Sequence, residues 1–256
     1  MKGLIREYAI RTFDGTTAGD GIDEVITERP LDIIINGLRV VTIACTGHYL
    51  KELALGYLKS EGLIAALDDV IEIDVTGDPP SAAVTLREQA SGTSAGGGTV
   101  AIMSSGARGK GPGTIESPLR SKLRFPAPHA LSLMDVLLSS SPLHKRTHGA
   151  HCSALADERG LIVYRDDIGR HNTYDMLGGY ALLEGIDCSD KIVVTTGRVS
   201  TEIVMKVYRM GIPVIISHAV PTSRALELCR DAGITLIGYV RRGTMKIYAH
   251  EERVLC

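Results

Sequence analysis

The run Lys191-Ile192-Val193-Val194-Thr195-Thr196-Gly197-Arg198-Val199-Ser200-Thr201-Glu202-Ile203-Val204-Met205-Lys206-Val207-Tyr208-Arg209-Met210-Gly211-Ile212-Pro213-Val214-Ile215-Ile216 decides the fold class. Lys191 to Thr195 is rich in β-branched residues and reads as a strand. Between Ser200 and Met210, the residues Ile203, Val204 and Val207 share one helical face. Pro213 to Ile216 is a second strand, and Pro221 to Cys229 a helix with proline in its first turn. Ile234 to Val240 and Met245 to Tyr248 complete the series as strands. Strand, helix, strand, helix and strand with short links predict parallel neighbours joined by right-handed crossovers, a layered α/β arrangement.

Upstream, Ser153 to Ala156 and Leu161 to Tyr164 flank Asp157-Glu158-Arg159-Gly160 as a hairpin. The second strand runs into Asp166-Asp167-Ile168-Gly169-Arg170-His171-Asn172-Thr173-Tyr174-Asp175 and then a helical pattern with Leu177, Tyr180, Ala181 and Glu184. A strand-to-helix junction offers free backbone N–H groups and a positive helix end. Arg170 adds a fork of donors suited to phosphate. Each polar residue alone is ordinary capping chemistry, but so many together favour a binding site.

In a parallel sheet the ligand crevice lies beyond the carboxyl ends of the strands. Three further polar corners fall there: Thr196 to Glu202 with Lys206, Ser217-His218 with Pro221-Thr222-Ser223, and Tyr239-Val240-Arg241-Arg242-Gly243-Thr244. Their shared placement predicts a pocket for a phosphorylated ligand formed with Gly169, Arg170, His171, Asn172, Arg198, Ser200 and His151. His151 adjoins Cys152. Neighbouring strand positions face opposite ways, so the two need not touch, and a buried structural cysteine is the simpler reading. The pattern lacks the His-x-Glu and Pro-Cys-x-x-Cys of zinc deaminases and the Gly-x-Ser-x-Gly of serine hydrolases.

The first half is less regular. Leu31 to Ile35 and Leu38 to Ala44 flank Asn36-Gly37 as a tight hairpin. Thr46 is the expected cap of a helix carrying Leu50, Leu53, Ala54, Tyr57 and Leu58, closed by Glu61-Gly62. Val70 to Val75 and Ala82 to Leu86 read as short strands, while residues 1–28 carry no clear pattern. Between Gly92 and Gly113 lie eight glycines and almost no large apolar side chain, which predicts a mobile loop. Gly109-Lys110 is followed by Gly111, so no Walker-type phosphate loop is formed. The predicted organisation is an α+β portion over 1–90, a flexible Gly/Pro-rich loop and linker over 91–128, and an α/β portion over 129–256 with a helix near Leu131 to Leu138.

Composition narrows the function classes. A net charge of −2 gives no overall attraction to nucleic acid or anionic membrane. No apolar run is long enough to span a bilayer, and the N-terminus does not read as a signal peptide. Five cysteines at irregular spacing (Cys45, Cys152, Cys188, Cys229, Cys256) suggest neither a disulfide framework nor a zinc site. The expectation is a soluble cytoplasmic protein with reduced thiols and no bound metal.

From about Glu28 to Val254 the chain resembles the FdhD family of formate dehydrogenase accessory proteins. The likeness rests on Glu28-Arg29-Pro30-Leu31, Asn36-Gly37, and Leu53-Ala54-Leu55-Gly56-Tyr57-Leu58-Lys59-Ser60-Glu61-Gly62. It continues in Thr147-x-Gly149-x-His151, Asp167 to Asn172 with Asp175, Thr196 to Glu202 with Lys206, Pro221-Thr222-Ser223 and Thr235 to Arg241. The resemblance implies a cytidine-deaminase-like sheet with helices on both faces plus a smaller N-terminal portion, usually as a homodimer. It also implies a sulfur carrier that receives sulfur from a cysteine desulfurase and passes it to the molybdenum cofactor, bis-molybdopterin guanine dinucleotide, before insertion into formate dehydrogenase. Tyr239 to Thr244 matches the family's cofactor-binding stretch.

One departure bears on chemistry. The family carries Cys-Gly-x-Cys-Gly on a mobile loop, whereas this chain has Ser104-Ser105-Gly106-Ala107-Arg108-Gly109-Lys110 and no cysteine between Cys45 and Cys152. Neither glycine nor arginine can carry sulfane sulfur. Cys152 is then the candidate replacement thiol, and the alternative is a relative that binds or delivers a guanine-containing cofactor without a covalent step. Milder departures are Cys45-Thr46 for Thr-Pro, His148 for glycine and Met176 for lysine.

Overall fold

The computed structural model describes residues 3–87 and 114–256. The loop expected to be mobile and the Ser104–Lys110 segment lie outside these residues. The first element is one that sequence periodicity does not reveal. Strands β1 (Ile5–Phe13) and β2 (Ala18–Ile26) form an antiparallel ribbon. Its turn is tied by Asp14, whose Oδ1 accepts the backbone N–H groups of Thr16 and Thr17. The ribbon is mostly exposed on both faces, so neither strand has a core side to impose apolar alternation.

A four-stranded sheet follows, built from β3 (Arg29–Ile35), β4 (Leu38–Cys45), β5 (Val70–Thr76) and β6 (Ser81–Leu86) in the order β4-β3-β6-β5. Asn36 and Gly37 both take positive φ, 47° and 82°, as the tight hairpin requires. Helix α1 (Leu50–Ser60) buries Leu53, Leu55 and Leu58 against this sheet. It ends in a Schellman motif, with Leu63 N–H donating to Leu58 O, Gly62 N–H to Lys59 O, and Gly62 at φ 73°. Thr46 does not cap α1; that place is taken by Tyr49 in a left-handed conformation, and Thr46 serves Asp167 instead.

The larger sheet contains β8 (His151–Asp157), β9 (Gly160–Asp167), β10 (Ile192–Thr195), β11 (Val214–Ser217), β12 (Thr235–Arg241) and β13 (Thr244–Ala249). Their order is β13-β12-β11-β10-β8-β9. The predicted β10, β11 and β12 run parallel, and the flanking strands pair antiparallel. Period-two alternation divides the core. Leu155, Val193, Ile215 and Leu236 face α4 (Arg170–Leu183), α5 (Thr201–Met210) and α6 (Ser223–Ala232). Ala154, Val194, Ile216 and Ile237 face α2 (Ala127–Ser140) on the other side. The start of α6 differs from expectation: Thr222 caps it by accepting the Ala225 N–H, and Pro221 stands outside the helix in a bridge to Val199. A short helix, α3 (Pro142–Thr147), was not apparent in the sequence pattern.

The part of the expected linker that is described, residues 114–128, is not a loose tether. Phe125 is buried, β7 (Phe125–Pro126) pairs with β14 (Val254–Leu255), and Leu119 N–H donates to Ala232 O. The two larger portions are joined by helix α1 crossing α4 at glycine positions. A Cβ at Gly56 would lie 1.6 Å from Asp175 O, and one at Gly179 would lie 1.9 Å from Glu52 O. Beside the crossing, Lys206 Nζ reaches Asp175 at 2.6 Å and Ser60 Oγ at 2.9 Å, a buried ion pair with its hydrogen bonds made. Met176 belongs to the core of the first portion although it lies on α4. Among the described residues no helix is long and apolar enough to cross a membrane.

Candidate functional site

The three polar corners at the carboxyl ends of the parallel strands are laced together by backbone groups. Ser217 Oγ, at the end of β11, donates to Gly197 O after β10 at 2.9 Å. The same hydroxyl oxygen accepts Ala219 N–H, and Ala219 O accepts Tyr239 N–H from β12 at 2.8 Å. The start of α4 closes on the same place. A Cβ at Gly197 would stand 3.2 Å from Arg170 Cβ and 3.7 Å from His151 Nδ1. Glycine at 197 therefore lets the α4 terminus and the β8 imidazole approach the β10 corner.

The electrostatics of this corner follow from burial beside cations. Desolvation, with Lys206, Arg170 and His151 adding to it, drives the His171 pKa down to about 3. His151 is lowered by burial, then by Arg170 and His144, and His218 by burial, then by Arg241 and His144. His144 acts on both His151 and His218. The imidazoles are held neutral by burial beside cations, with the exposed Glu202 carboxylate 3.4 Å from His171 Nε2 opposing in part, and neutral rings offer N–H donors to an anion. Two groups here are enclosed without a hydrogen-bond partner: Arg170 Nε and Ser200 Oγ.

The remaining expected residues divide between this corner and other duties. Tyr239 sits at φ 58° in a bulge where the β12–β13 register shifts, and the Arg241 guanidinium stacks 3.5 Å from its ring centroid. Arg242 and Gly243, at φ 52° and 71°, form the exposed turn with Thr244, whose hydroxyl donates to Arg241 O. Arg198 is exposed on the loop before α5, and Gly169 is the half-buried N-cap of α4. Val240 differs from expectation: its side chain is 1 % exposed in the α2-side core, so only its backbone borders the corner.

Asn172 also differs. Its Nδ2 donates to Ala44 O at 2.8 Å and to Asp167 Oδ1 at 2.7 Å, so the amide is spent on holding α4 to β4. Asp167, which sequence reasoning left without a role, is the centre of this knot and accepts Thr46 N–H, Thr46 Oγ1–H, Gly169 N–H and Asn172. Its place beside Gly169 and Asn172 in the sequence was the available signal. Cys152 is 1 % exposed on the opposite face of β8 from His151, and burial, then Asp166, pushes its thiol up to about 12. It offers no thiolate as placed.

Comparison with known proteins gives the family. The FdhD/NarQ family model matches residues 26–255. The sulfur carrier protein FdhD of Bacillus pumilus is 34 % identical, covering 99 % of this chain and 97 % of the relative. The same-named protein of Bacillus subtilis is 31 % identical, covering 91 % and 90 %. A crystal structure from Desulfotalea psychrophila, described as a formate dehydrogenase accessory protein, superposes with a TM-score of 0.81 at 26 % identity, over 98 % of this chain and all of the other. With the family model spanning nearly the whole chain, the protein belongs to the FdhD/NarQ family.

Proposed function

We propose that this chain is a formate dehydrogenase accessory protein whose strand-end corner holds the guanine-containing molybdenum cofactor as cargo. One observation carries the reading: Arg170 brings a buried, unpartnered Nε to a corner of neutral imidazoles. A buried guanidinium donor left open is costly unless an acceptor completes it, and phosphate oxygens match its fork. Ser200 Oγ supplies a further open group, and Arg241 on Tyr239 a second cation. Arg170, His151, His171 and Ser200 would hold phosphate, with Tyr239 to Thr244 bordering the rest of the guest. The partners are then a cysteine desulfurase and formate dehydrogenase, the setting is cytoplasmic, the assembly is a homodimer, and the larger sheet is read as cytidine-deaminase-like.

In the sulfur-carrier form of this reading, a protein thiolate attacks the outer sulfur of a desulfurase persulfide. A cysteine persulfide forms on this chain and the desulfurase thiol leaves. A second form, binding and delivery with no covalent step, is favoured by the state of four of the five thiols. Burial pushes Cys45, Cys152 and Cys229 up to about 12 and Cys188 up to about 11, and the family's loop cysteines have no counterpart; Cys256, the fifth, is exposed and is the first residue to map in the carrier form. Incubation with a cysteine desulfurase and cysteine, followed by intact-mass and peptide mapping, separates the two. One added sulfur on a mapped cysteine, lost when that residue is changed to alanine, establishes the carrier. An unmodified chain that still binds guanine nucleotide establishes the second form, and failure to bind guanine nucleotide removes the cofactor assignment.

A further inference from the structure

A positively charged hollow lies at the opposite end of the larger sheet from the Arg170 corner. It has a volume of about 420 Å³ and is lined by Ser121, Lys122, Leu123, Arg124, Glu252 and Arg253. Arg253 is anchored at the amino end of β12, where Nη1 donates to Thr235 Oγ1 at 3.0 Å, and that hydroxyl donates to His250 O. Ser121 is fixed near the amino end of β10 by donating to Ser189 O at 2.7 Å. The hollow is therefore on the amino edge of the parallel strands, while the corner around Arg170 is on their carboxyl edge.

Among the residues lining this hollow, cations outnumber carboxylates three to one. Arg253 is 7 % exposed, and its Nε is enclosed with no hydrogen-bond partner. The carboxylate nearest to it, Glu252, stands 4.0 Å away, is 60 % exposed and also takes His250 Nδ1 at 3.1 Å. Lys122 and Arg124 are exposed beside it, and neither enters an ion pair among the described residues. The one carboxylate lining the hollow is thus largely solvated and paired only loosely with Arg253. A buried guanidinium without a close counter-charge is unfavourable, and an oxyanion in the hollow against the guanidinium would relieve it. Burial indeed lowers the Arg253 pKa, with Glu252 opposing only in part.

We propose that this hollow is a binding site for a phosphate group, held by Arg253 from below and by Lys122 and Arg124 at the rim. Its volume exceeds what a bare phosphate needs, which suits a small phosphate monoester. The proposal does not depend on the reading of the Arg170 corner.

The test is NMR titration of the nitrogen-15-labelled full chain, following the Arg253 Nε–H resonance at constant ionic strength. Inorganic phosphate and ribose 5-phosphate are the two probes. A saturable shift of that resonance is expected with phosphate and not with chloride. Tighter binding of ribose 5-phosphate identifies an organic ester, and equal binding identifies the free anion. The surface variant K122Q/R124Q, whose melting temperature should match the parent because both side chains are exposed, should bind roughly tenfold or more weakly. No saturable shift with either probe, or undiminished affinity in that variant, overturns the proposal.

Discussion

One oxygen of the Asp167 carboxylate accepts two hydrogen bonds from Thr46, its backbone N–H at 2.8 Å and its hydroxyl at 2.9 Å, across 121 residues of chain. FdhD-family chains usually carry proline at this position, which has no N–H to give. Thr46 therefore adds two donors, N–H and hydroxyl, that the usual residue lacks. Asp167→Ala leaves the Thr46, Gly169 and Asn172 donors buried without an acceptor and should cost more than about 3 kcal/mol. Thr46→Val removes only the hydroxyl bond and should cost about 1.5–3 kcal/mol. Urea unfolding of the two variants checks both the order and the sizes; a smaller loss in Asp167→Ala than in Thr46→Val would contradict the knot.

His148 is the C-cap of α3 and sits at φ 53°, in the left-handed region. The glycine that resemblance leads one to expect there has no Cβ to strain. His148→Gly should therefore raise stability by about 0.5–1 kcal/mol, read as a higher melting temperature. A lower melting temperature would show that the imidazole, which packs edge-on against His144, contributes more than the backbone strain costs.

The His171 pKa is lowered in the fold, from 6.5 to about 3, so the unfolded chain binds a proton more readily. Its contribution to stability is intact above about pH 6.5 and declines as pH falls toward 3. The decline approaches roughly 1.4 kcal/mol for each pH unit where the unfolded chain holds one proton more than the fold. Unfolding free energies measured from pH 7 to pH 4.5 should show this slope, and His171→Asn should flatten it. An equal slope in the variant would assign the acid sensitivity elsewhere.

Arg170→Gln should weaken guanine-nucleotide binding by about 1–3 kcal/mol, the worth of a charge-assisted bond. Arg241→Ala should weaken it by a similar amount while also removing the cation stacked on Tyr239. Calorimetry with GDP measures both; unchanged affinity in the two variants would remove the assignment of this corner.

The strand ends that build the corner were legible because β10, β11 and β12 are β-branched runs buried on both faces and closed by polar turns. The Asn36-Gly37 turn was legible because its two positive φ values restrict the residue types allowed there. Other features depend on partners distant in sequence. Asn172 looked like a ligand-binding amide, yet Ala44, 128 residues earlier, claims it. Val240 looked like part of a polar stretch, yet the register shift at Gly238/Arg241 turns it into the core. The β1–β2 ribbon was not legible because exposed strands need no apolar face. Arg253 gave no sign of itself, since burial of a guanidinium against Thr235 is set only when the chain end folds back.

The crossing at Gly56 and Gly179 sets a limit on dissecting this molecule. With α1 removed, a fragment starting at residue 114 would bare Met176 and lose Ser60 from the Lys206–Asp175 pair. Such a half-molecule would carry a sticky flank and an ill-solvated charge pair, so recombinant work on the corner should keep both halves together.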